Sequence, residues 1–94
     1  MKTKTTVWDA AAHLKTKNDR AAYLAGAFED GDPALIAAAL GDIARAEGMA
    51  KIARKTGLGR ESLYKTLSTD GNPELATLLK VFSAIGLKLH AAPC

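Results

Sequence analysis

The apolar side chains of this chain recur every three to four residues over most of its length, which is the spacing of amphipathic helices. Residues that stop and start helices interrupt the pattern, most clearly at Asp30-Gly31-Asp32-Pro33. There Gly31 suits a helix end, Asp32 a cap and Pro33 a first turn. The pattern therefore predicts six helices. They cover residues 7–14, 19–29, 33–47, 50–56, 60–67 and 73–85.

The pattern changes after the last predicted helix. Residues 87–91 (LKLHA) alternate between apolar and polar positions, which predicts one short strand. A lone strand needs a partner, either the same strand of a second copy or another protein. The helical spacing also selects large side chains for the core: Trp8, Tyr23, Phe28, Leu63, Leu67, Leu75, Leu78, Leu79, Phe82 and Ile85.

Length and composition limit what this chain can be. Its 94 residues are enough for a single domain, residues 1–94, with one modest core. The longest apolar run covers residues 34–40, far short of the roughly 20 residues of a membrane span, and no secretory signal is present. We therefore expect a cytoplasmic protein.

Candidate chemistry is sparse. Cys94 is the only cysteine, and His13 and His90 lie near opposite ends of the chain, so we expect no disulfide, no metal and no cofactor. No nucleophile and base set, phosphate loop or metal spacing is present, and we expect no enzymatic activity.

Charge is distributed unevenly along the chain. Residues 1–47 carry six basic and seven acidic side chains, whereas residues 48–94 carry seven basic and three acidic ones. The basic residues concentrate in segment 51–67, which favours a polyanionic partner. The alternative is a solvated, lysine-rich helix face.

The same basic segment contains two short predicted helices with a turn of about three residues between them, at Gly57-Leu58-Gly59. Such a turn makes the helices cross steeply, at about 90–120°, so that the start of the second helix projects. This is the helix-turn-helix arrangement, in which the second helix enters the major groove of DNA.

Residues 49–68 (MAKIARKTGLGRESLYKTLS) and 71–89 (GNPELATLLKVFSAIGLKL) resemble the helix-turn-helix of the Xre/Cro-CI repressor superfamily. Segments 30–49 (DGDPALIAAALGDIARAEGM) and 59–81 (GRESLYKTLSTDGNPELATLLKV) are similar to the HigA-like antidotes of addiction modules. The resemblance implies an all-α, lambda-repressor-like bundle of five or six helices with a short C-terminal strand. Residues 1–31 would be an N-terminal helical extension, 32–91 the Xre-like core and 48–69 the helix-turn-helix.

The chain departs from the superfamily at two caps. Ala50 and Gly59 stand where a hydroxyl side chain is usual. Replacing a capping hydroxyl by Ala costs ~1 kcal/mol, and by Gly only a few tenths. These departures leave the fold intact, but they put the phosphate contacts at those caps in doubt. They also favour another function, that of a helical interaction module that does not bind DNA.

The outward face of the second helix carries the candidates for base contacts: Arg60, Glu61, Tyr64 and Lys65. The Arg60 guanidinium matches the O6 and N7 acceptors of guanine, Glu61 can accept from cytosine or orient Arg60, and Tyr64 can contact a thymine methyl group or a phosphate. The alternative is a stacked surface pair of Arg60 and Tyr64, with Glu61 serving only the helix dipole.

A second set consists of candidates for phosphate contacts: Lys51, Arg54, Lys55 and Gly59, with Lys65 able to join them. Phosphate contacts position a protein on DNA without reading its sequence, and they make affinity fall with salt. The alternative for each lysine or arginine is a solvated helix surface.

By resemblance, the chain is the antitoxin of a type II toxin-antitoxin module. It would bind operator DNA, repress its own operon and neutralise a RelE-type toxin. The toxin would contact the N-terminal half, which carries Asp9, Asp19, Glu29, Asp30 and Asp32. Binding to palindromic operators implies a homodimer, formed through strand 87–91 or through the last helix. The main alternative is a stand-alone Xre-family regulator without a toxin.

Overall fold

A computed structural model describes residues 14–94, and this part of the chain folds into five α-helices. They are α1 (Lys17–Asp30), α2 (Pro33–Glu47), α3 (Met49–Thr56), α4 (Arg60–Thr66) and α5 (Leu75–Ala84). The all-helical prediction is confirmed, and five of the six predicted helices are present. The sixth predicted helix, over residues 7–14, lies outside the described residues except for Leu14. Trp8, which the sequence predicted in the core, also lies outside them.

Local sequence signals set the first helix boundaries. The Thr16 hydroxyl accepts a hydrogen bond from the backbone N–H of Asp19, and the Asp19 carboxylate accepts one from the backbone N–H of Thr16. This reciprocal cap starts α1. Gly31, in the left-handed conformation with φ 77°, ends the helix. The Asp32 carboxylate then accepts from the N–H of Ala34 at 2.9 Å and starts α2.

The core lies around α2. Helix α1 packs on α2, α2 packs on α3 and α4, and α3 packs on α4 and α5. The side chains at the centre are fully buried, and they come from all four of the later helices and the segments that flank them: Leu40, Ile43, Ile52, Leu63, Leu67, Val81 and Ile85. Burial of this kind stabilises a domain by about 1.5–3 kcal/mol for each large aliphatic side chain. None of the helices in residues 14–94 is long and apolar enough to span a membrane.

The predicted C-terminal strand is wrong. Residues 87–94 contain no strand, and no part of residues 14–94 forms one. The alternation over 87–91 describes a segment that has no second strand to pair with among residues 14–94. Instead the Leu87 N–H donates to the carbonyl of Phe82 at 3.0 Å, and Leu87 packs at the edge of the core.

The buried faces of α1 and α5 are narrower than the sequence predicts. Leu75 is 63% exposed and Leu79 50%, although both were expected in the core. Phe28 is 42% exposed, while Tyr23 is half-buried against the core. Leu75 and Leu79 are exposed because apolar residues occupy nearly the whole circumference of α5, whereas the domain covers only the side that carries Val81 and Phe82.

Candidate nucleic-acid interface

Helices α3 and α4 are separated by a three-residue connection, Gly57-Leu58-Gly59. Gly57 adopts the left-handed conformation with φ 75°, which favours glycine, and its N–H donates to the carbonyl of Ala53 at 2.9 Å. The chain leaves α3 there and turns into α4 two residues later. The break falls where the sequence predicted it.

A buried threonine holds this connection in place. The Thr56 hydroxyl donates to the carbonyl of Ile52 at 2.8 Å and accepts from the N–H of Leu58 at 3.2 Å. Thr56 is the one buried polar side chain of residues 14–94. The helical pattern of the sequence does not predict this role for Thr56. The available signal is a threonine directly before the glycine that ends a helix, since such a hydroxyl can satisfy the backbone on both sides of the turn.

The core fixes which side of the two helices faces outward. Ile52 of α3, Leu63 of α4 and Leu67 just beyond it are buried, with exposures of 1% or less. The opposite sides of α3 and α4 remain in solvent. All eight predicted contact residues are exposed: Lys51, Arg54, Lys55, Gly59, Arg60, Glu61, Tyr64 and Lys65. The structure therefore leaves every predicted candidate free to meet a ligand.

The cations of this surface differ in their local partners. Lys51 forms an ion pair with Glu47 at 3.0 Å, and the Lys55 ammonium donates to the Ala84 carbonyl at 3.4 Å. Within residues 14–94, no acidic side chain pairs with Arg54, Arg60 or Lys65. The unpaired cations are the ones with most to gain from an anionic ligand, because no internal partner has to be displaced.

Glu47 connects this surface to the rest of the domain. It pairs with Lys51 on α3 and with Arg20 on α1, and its side chain is 15% exposed. The hydrogen bond from Lys51 is the largest cause of a lowered Glu47 pKa; burial opposes it, and the charges of Arg20 and Lys51 add to it. Arg20 also donates to the Leu14 carbonyl at 2.8 Å, so the network ties the start of α1 to α3.

A second polar contact joins α1 to α2. The Tyr23 hydroxyl donates to the Asp42 carboxylate at 2.6 Å, and Arg45 donates to the same carboxylate at 2.6 Å. Burial, followed by the hydrogen bond to Asp42, raises the pKa of Tyr23 to about 12. This contact stabilises the packing of α1, and its geometry offers no open position for a ligand.

The cap residues follow the departures noted in the sequence. Gly59 starts α4 from an extended conformation without a side-chain hydrogen bond. Gly48 starts α3, also without a side-chain hydrogen bond but with a positive φ of 114°, so Ala50 is not the cap itself. The described residues contain no group of three histidine, cysteine or acidic side chains able to hold a metal ion. His90 and Cys94 are exposed, and His13 lies outside the described residues.

The acidic residues of the N-terminal half divide into two groups. Asp19 and Asp32 already accept backbone hydrogen bonds as helix caps. Glu29 and Asp30, at the end of α1, are exposed and form no ion pair within residues 14–94. Asp9 lies outside the described residues.

Comparison with known proteins gives the chain a family. A family model described as "Probable addiction module antidote protein" matches residues 4–93. A protein of Haemophilus influenzae strain Rd, named only "Uncharacterized protein", is 46% identical over 83 residues, which are 88% of this chain and 86% of that protein. No solved structure matches the chain. The match over nearly the whole length shows that this chain belongs to the family of probable addiction module antidote proteins.

Proposed function

We propose that this protein is the antitoxin of a type II toxin-antitoxin module. It binds operator DNA through a helix-turn-helix of the Xre/Cro-CI type, formed by α3 and α4, represses its own operon and neutralises a RelE-type toxin. Membership in the antidote family supports the antitoxin role. The observation that carries the DNA-binding role is the exposed, cationic surface of α3 and α4, with Arg54, Arg60 and Lys65 free of internal ion pairs.

Arg60 is the central residue for sequence reading. It is the first residue of α4, it is exposed, and its guanidinium fork can donate two parallel hydrogen bonds to a guanine edge. Glu61 and Tyr64 follow on the same exposed side, where they supply an acceptor and an aromatic hydroxyl. Each well-formed bidentate pair contributes about 1–3 kcal/mol of discrimination between bases.

The phosphate contacts come mainly from α3 and the connection. Arg54 and Lys55 lie in the last turn of α3, Lys51 one turn earlier, and Gly59 directly before α4. Binding through such contacts releases counterions, so the logarithm of affinity falls linearly with the logarithm of salt concentration. Loss of one contact lowers that slope by about 0.9.

The test is fluorescence anisotropy with the DNA upstream of the chain's own gene. Arg60→Ala is expected to weaken binding roughly 5- to 150-fold, which corresponds to 1–3 kcal/mol, and to relax sequence preference. Arg54→Ala is expected to weaken binding to all sequences and to reduce the salt slope by about one unit. Lys88→Ala, an exposed cation outside α3 and α4, is the control and should change neither quantity.

Two results would each overturn one part of this proposal. An affinity of Arg60→Ala equal to that of the unmodified protein would overturn the base-reading role of Arg60. A salt slope near zero for the unmodified protein would overturn the DNA-binding role, since cationic contacts with the DNA backbone release counterions. The second result favours a helical interaction module that does not bind DNA.

The toxin is expected on the N-terminal half. The resemblance to HigA-like antidotes implies a small, basic toxin, and the exposed Glu29 and Asp30 offer opposite charge on α1 while α3 and α4 stay free for DNA. Co-expression with the product of the neighbouring gene tests this. Glu29→Lys combined with Asp30→Lys should abolish co-purification, and Asp70→Lys, an exposed acidic residue in the α4–α5 loop, should not.

The outcome of co-purification also separates the two regulatory functions. No complex between the unmodified chain and the neighbouring gene product, together with operator binding, identifies a stand-alone regulator. We propose further that the protein acts as a homodimer in the cytoplasm and that it works by binding alone, without catalysis.

A further inference from the structure

An apolar cleft lies between α1 and the segment that follows α5. One wall is the side of α1 that carries Leu24, Ala25 and Phe28, which have the spacing of a single helix face. Residues 87–90 form the other wall, and the buried ring of Phe82 also lines the cleft. We refer to this site as the α1 cleft. Its volume is about 590 Å³. Since a cavity of roughly 150 Å³ holds a benzene ring, the cleft has room for more than one large side chain.

Two large side chains of the cleft remain open to solvent. Phe28 is 42% exposed, and Leu89, on the opposite wall, is 37% exposed. The ring of Phe28 packs against that of Phe82, with ring centroids 6.4 Å apart and planes inclined by 46°, so Phe28 is held at the cleft. An apolar side chain that entered the cleft would remove the exposed surfaces of Phe28 and Leu89 from water, which favours binding.

The wall that follows α5 also offers backbone groups to a partner. Within residues 14–94, the backbone of residues 88–92 forms no hydrogen bond, whereas the Leu87 N–H donates to the Phe82 carbonyl. The sequence pattern over 87–91 is that of a strand, and another protein can supply the second strand that residues 14–94 lack. Main-chain pairing beside a side-chain pocket is a common way to recognise an extended segment of a partner.

The charges of the cleft favour a basic partner on the α1 side. Glu29 lines the cleft and Asp30 follows it, and neither forms an ion pair within residues 14–94. Lys88 and His90 belong to the other wall, and both are exposed. A partner that carries a cation beside its apolar side chain therefore binds in one orientation, with the cation at Glu29 and Asp30 rather than at Lys88.

We infer that the α1 cleft anchors the toxin, by taking an apolar side chain of the toxin while an adjacent lysine or arginine of the toxin meets Glu29 and Asp30. The inference rests on the proposed function, and it adds to the acidic contact an apolar one, half of which is supplied by the segment after α5. A buried apolar anchor with a charged rim is the arrangement that concentrates binding energy in protein interfaces. The cleft and the candidate DNA surface are formed by different elements, so one chain has a separate surface for each partner.

The first test measures the affinity of the full chain for the product of the neighbouring gene by biolayer interferometry. Ala25→Gln places a polar side chain in the cleft and should weaken binding by at least about tenfold. The matched control is Ala22→Gln, because Ala22 is also exposed on α1 but does not line the cleft. Both variants should keep the circular dichroism spectrum of the unmodified chain, since both alanines face solvent.

Salt separates the apolar contact from the ionic one. The loss of affinity in Ala25→Gln should persist at high salt, because burial of apolar surface is not screened. The loss in Glu29→Lys combined with Asp30→Lys should shrink as salt rises, because interactions between exposed charges are screened.

A second measurement needs no variant. In the free chain, the amide hydrogens of residues 88–92 should exchange rapidly with deuterium, because they have no hydrogen-bond partner within residues 14–94. Binding of the toxin should slow their exchange. The amides of residues 68–72, in the α4–α5 loop outside the cleft, are the control and should exchange at the same rate in the free chain and in the complex.

The outcomes distinguish the inference from the proposed function. The inference alone is overturned if the complex forms but Ala25→Gln binds as tightly as the unmodified chain, or if residues 88–92 gain no protection in the complex. Protection of these amides that is already complete in the free chain shows that a second copy or residues 1–13 of the same chain occupy the cleft, which also overturns the inference. Absence of any complex overturns the antitoxin role and the inference with it.

Discussion

Gly41 and Gly26 allow a paired test of the packing between α2 and α4. Both glycines lie inside helices, where alanine is intrinsically favoured by about 0.5–1 kcal/mol because it loses less backbone entropy on folding. Their surroundings differ completely. A Cβ atom at Gly41 would lie 2.1 Å from the backbone oxygen of Leu67, whereas a Cβ atom at Gly26 would have no neighbour within 4 Å.

The structure sets the size of the effect at Gly41. Reaching an ordinary contact distance of 3.4 Å requires the end of α4 to move away by about 1.3 Å. The obstacle is backbone, and Leu67 is itself fully buried, so no side-chain rotation relieves the clash. Overpacking of this kind costs about 1–3 kcal/mol. We therefore expect Gly41→Ala to lower the free energy of unfolding by a net ~1–2 kcal/mol despite its better helix propensity.

Urea and thermal unfolding followed by circular dichroism measure both variants. Gly26→Ala should raise the free energy of unfolding by about 0.5–1 kcal/mol. Each kcal/mol shifts the melting temperature of a domain of this size by roughly 4–8 °C. The reasoning is refuted if Gly41→Ala is as stable as the unmodified protein, or if the two substitutions change stability in the same direction.

Three further predictions concern polar contacts. Thr56→Val removes the acceptor for the Leu58 N–H and should lower the free energy of unfolding, measured in urea, by about 1–3 kcal/mol. Thr56→Ser should retain most of the stability, and an equal loss in both variants would contradict the role of the hydroxyl. The hydrogen bond from Lys51 lowers the pKa of Glu47, so the ionised Glu47 side chain stabilises the fold fully above pH 4.5. This stabilisation is lost as pH falls through the lower pKa of the folded state, so the stability deficit of Glu47→Gln should disappear in acid. Burial raises the pKa of Tyr23 to about 12, so the neutral Tyr23 hydroxyl stabilises the fold fully below pH 10.0, and this stabilisation is lost as pH rises through about 12. The loss of unfolding free energy in Tyr23→Phe, ~1 kcal/mol at neutral pH, should therefore shrink in that range. A constant loss would argue against this role of the hydroxyl.

The sequence predicts a helix boundary correctly wherever one residue starts or ends the helix through its own backbone conformation or its own side chain. Gly31 and Gly57 end α1 and α3 in the left-handed conformation, and Asp32 starts α2 with its own carboxylate. These signals act within four residues and do not depend on the rest of the fold. The same is true of the break between α3 and α4, whereas the exposure of Arg60 also depends on how the core orients the two helices.

The start of α5 shows where local signals are insufficient. Asn72-Pro73 predicts a helix from residue 73, but α5 begins at Leu75, after Glu74 in an extended conformation. The preceding loop packs tightly on α4, since a Cβ atom at Gly71 would lie 1.7 Å from the Thr66 carbonyl oxygen. This contact of the α4–α5 loop joins residues five apart, beyond the reach of the cap signal that predicts a helix from residue 73.

Two other differences have a common cause. Strand 87–91 fails because residues 14–94 contain no second strand to pair with it, and Leu75 and Leu79 remain exposed because no further element among these residues covers them. Periodicity identifies which side chains can be buried, but not whether a partner surface exists within the chain. The exposure of the candidate DNA contacts was easier to predict, because it requires only the direction of a helix face.

The shortness of α3 and α4, with eight and seven residues, has a consequence for their dynamics. Isolated helices of fewer than ~12–15 residues are marginal in water, so neither persists without Ile52 and Leu63 anchored below it. Amide hydrogens along α4 should then exchange with deuterium only when the whole domain opens, rather than through independent fraying. Helix α4 and the interior should therefore unfold as one cooperative unit.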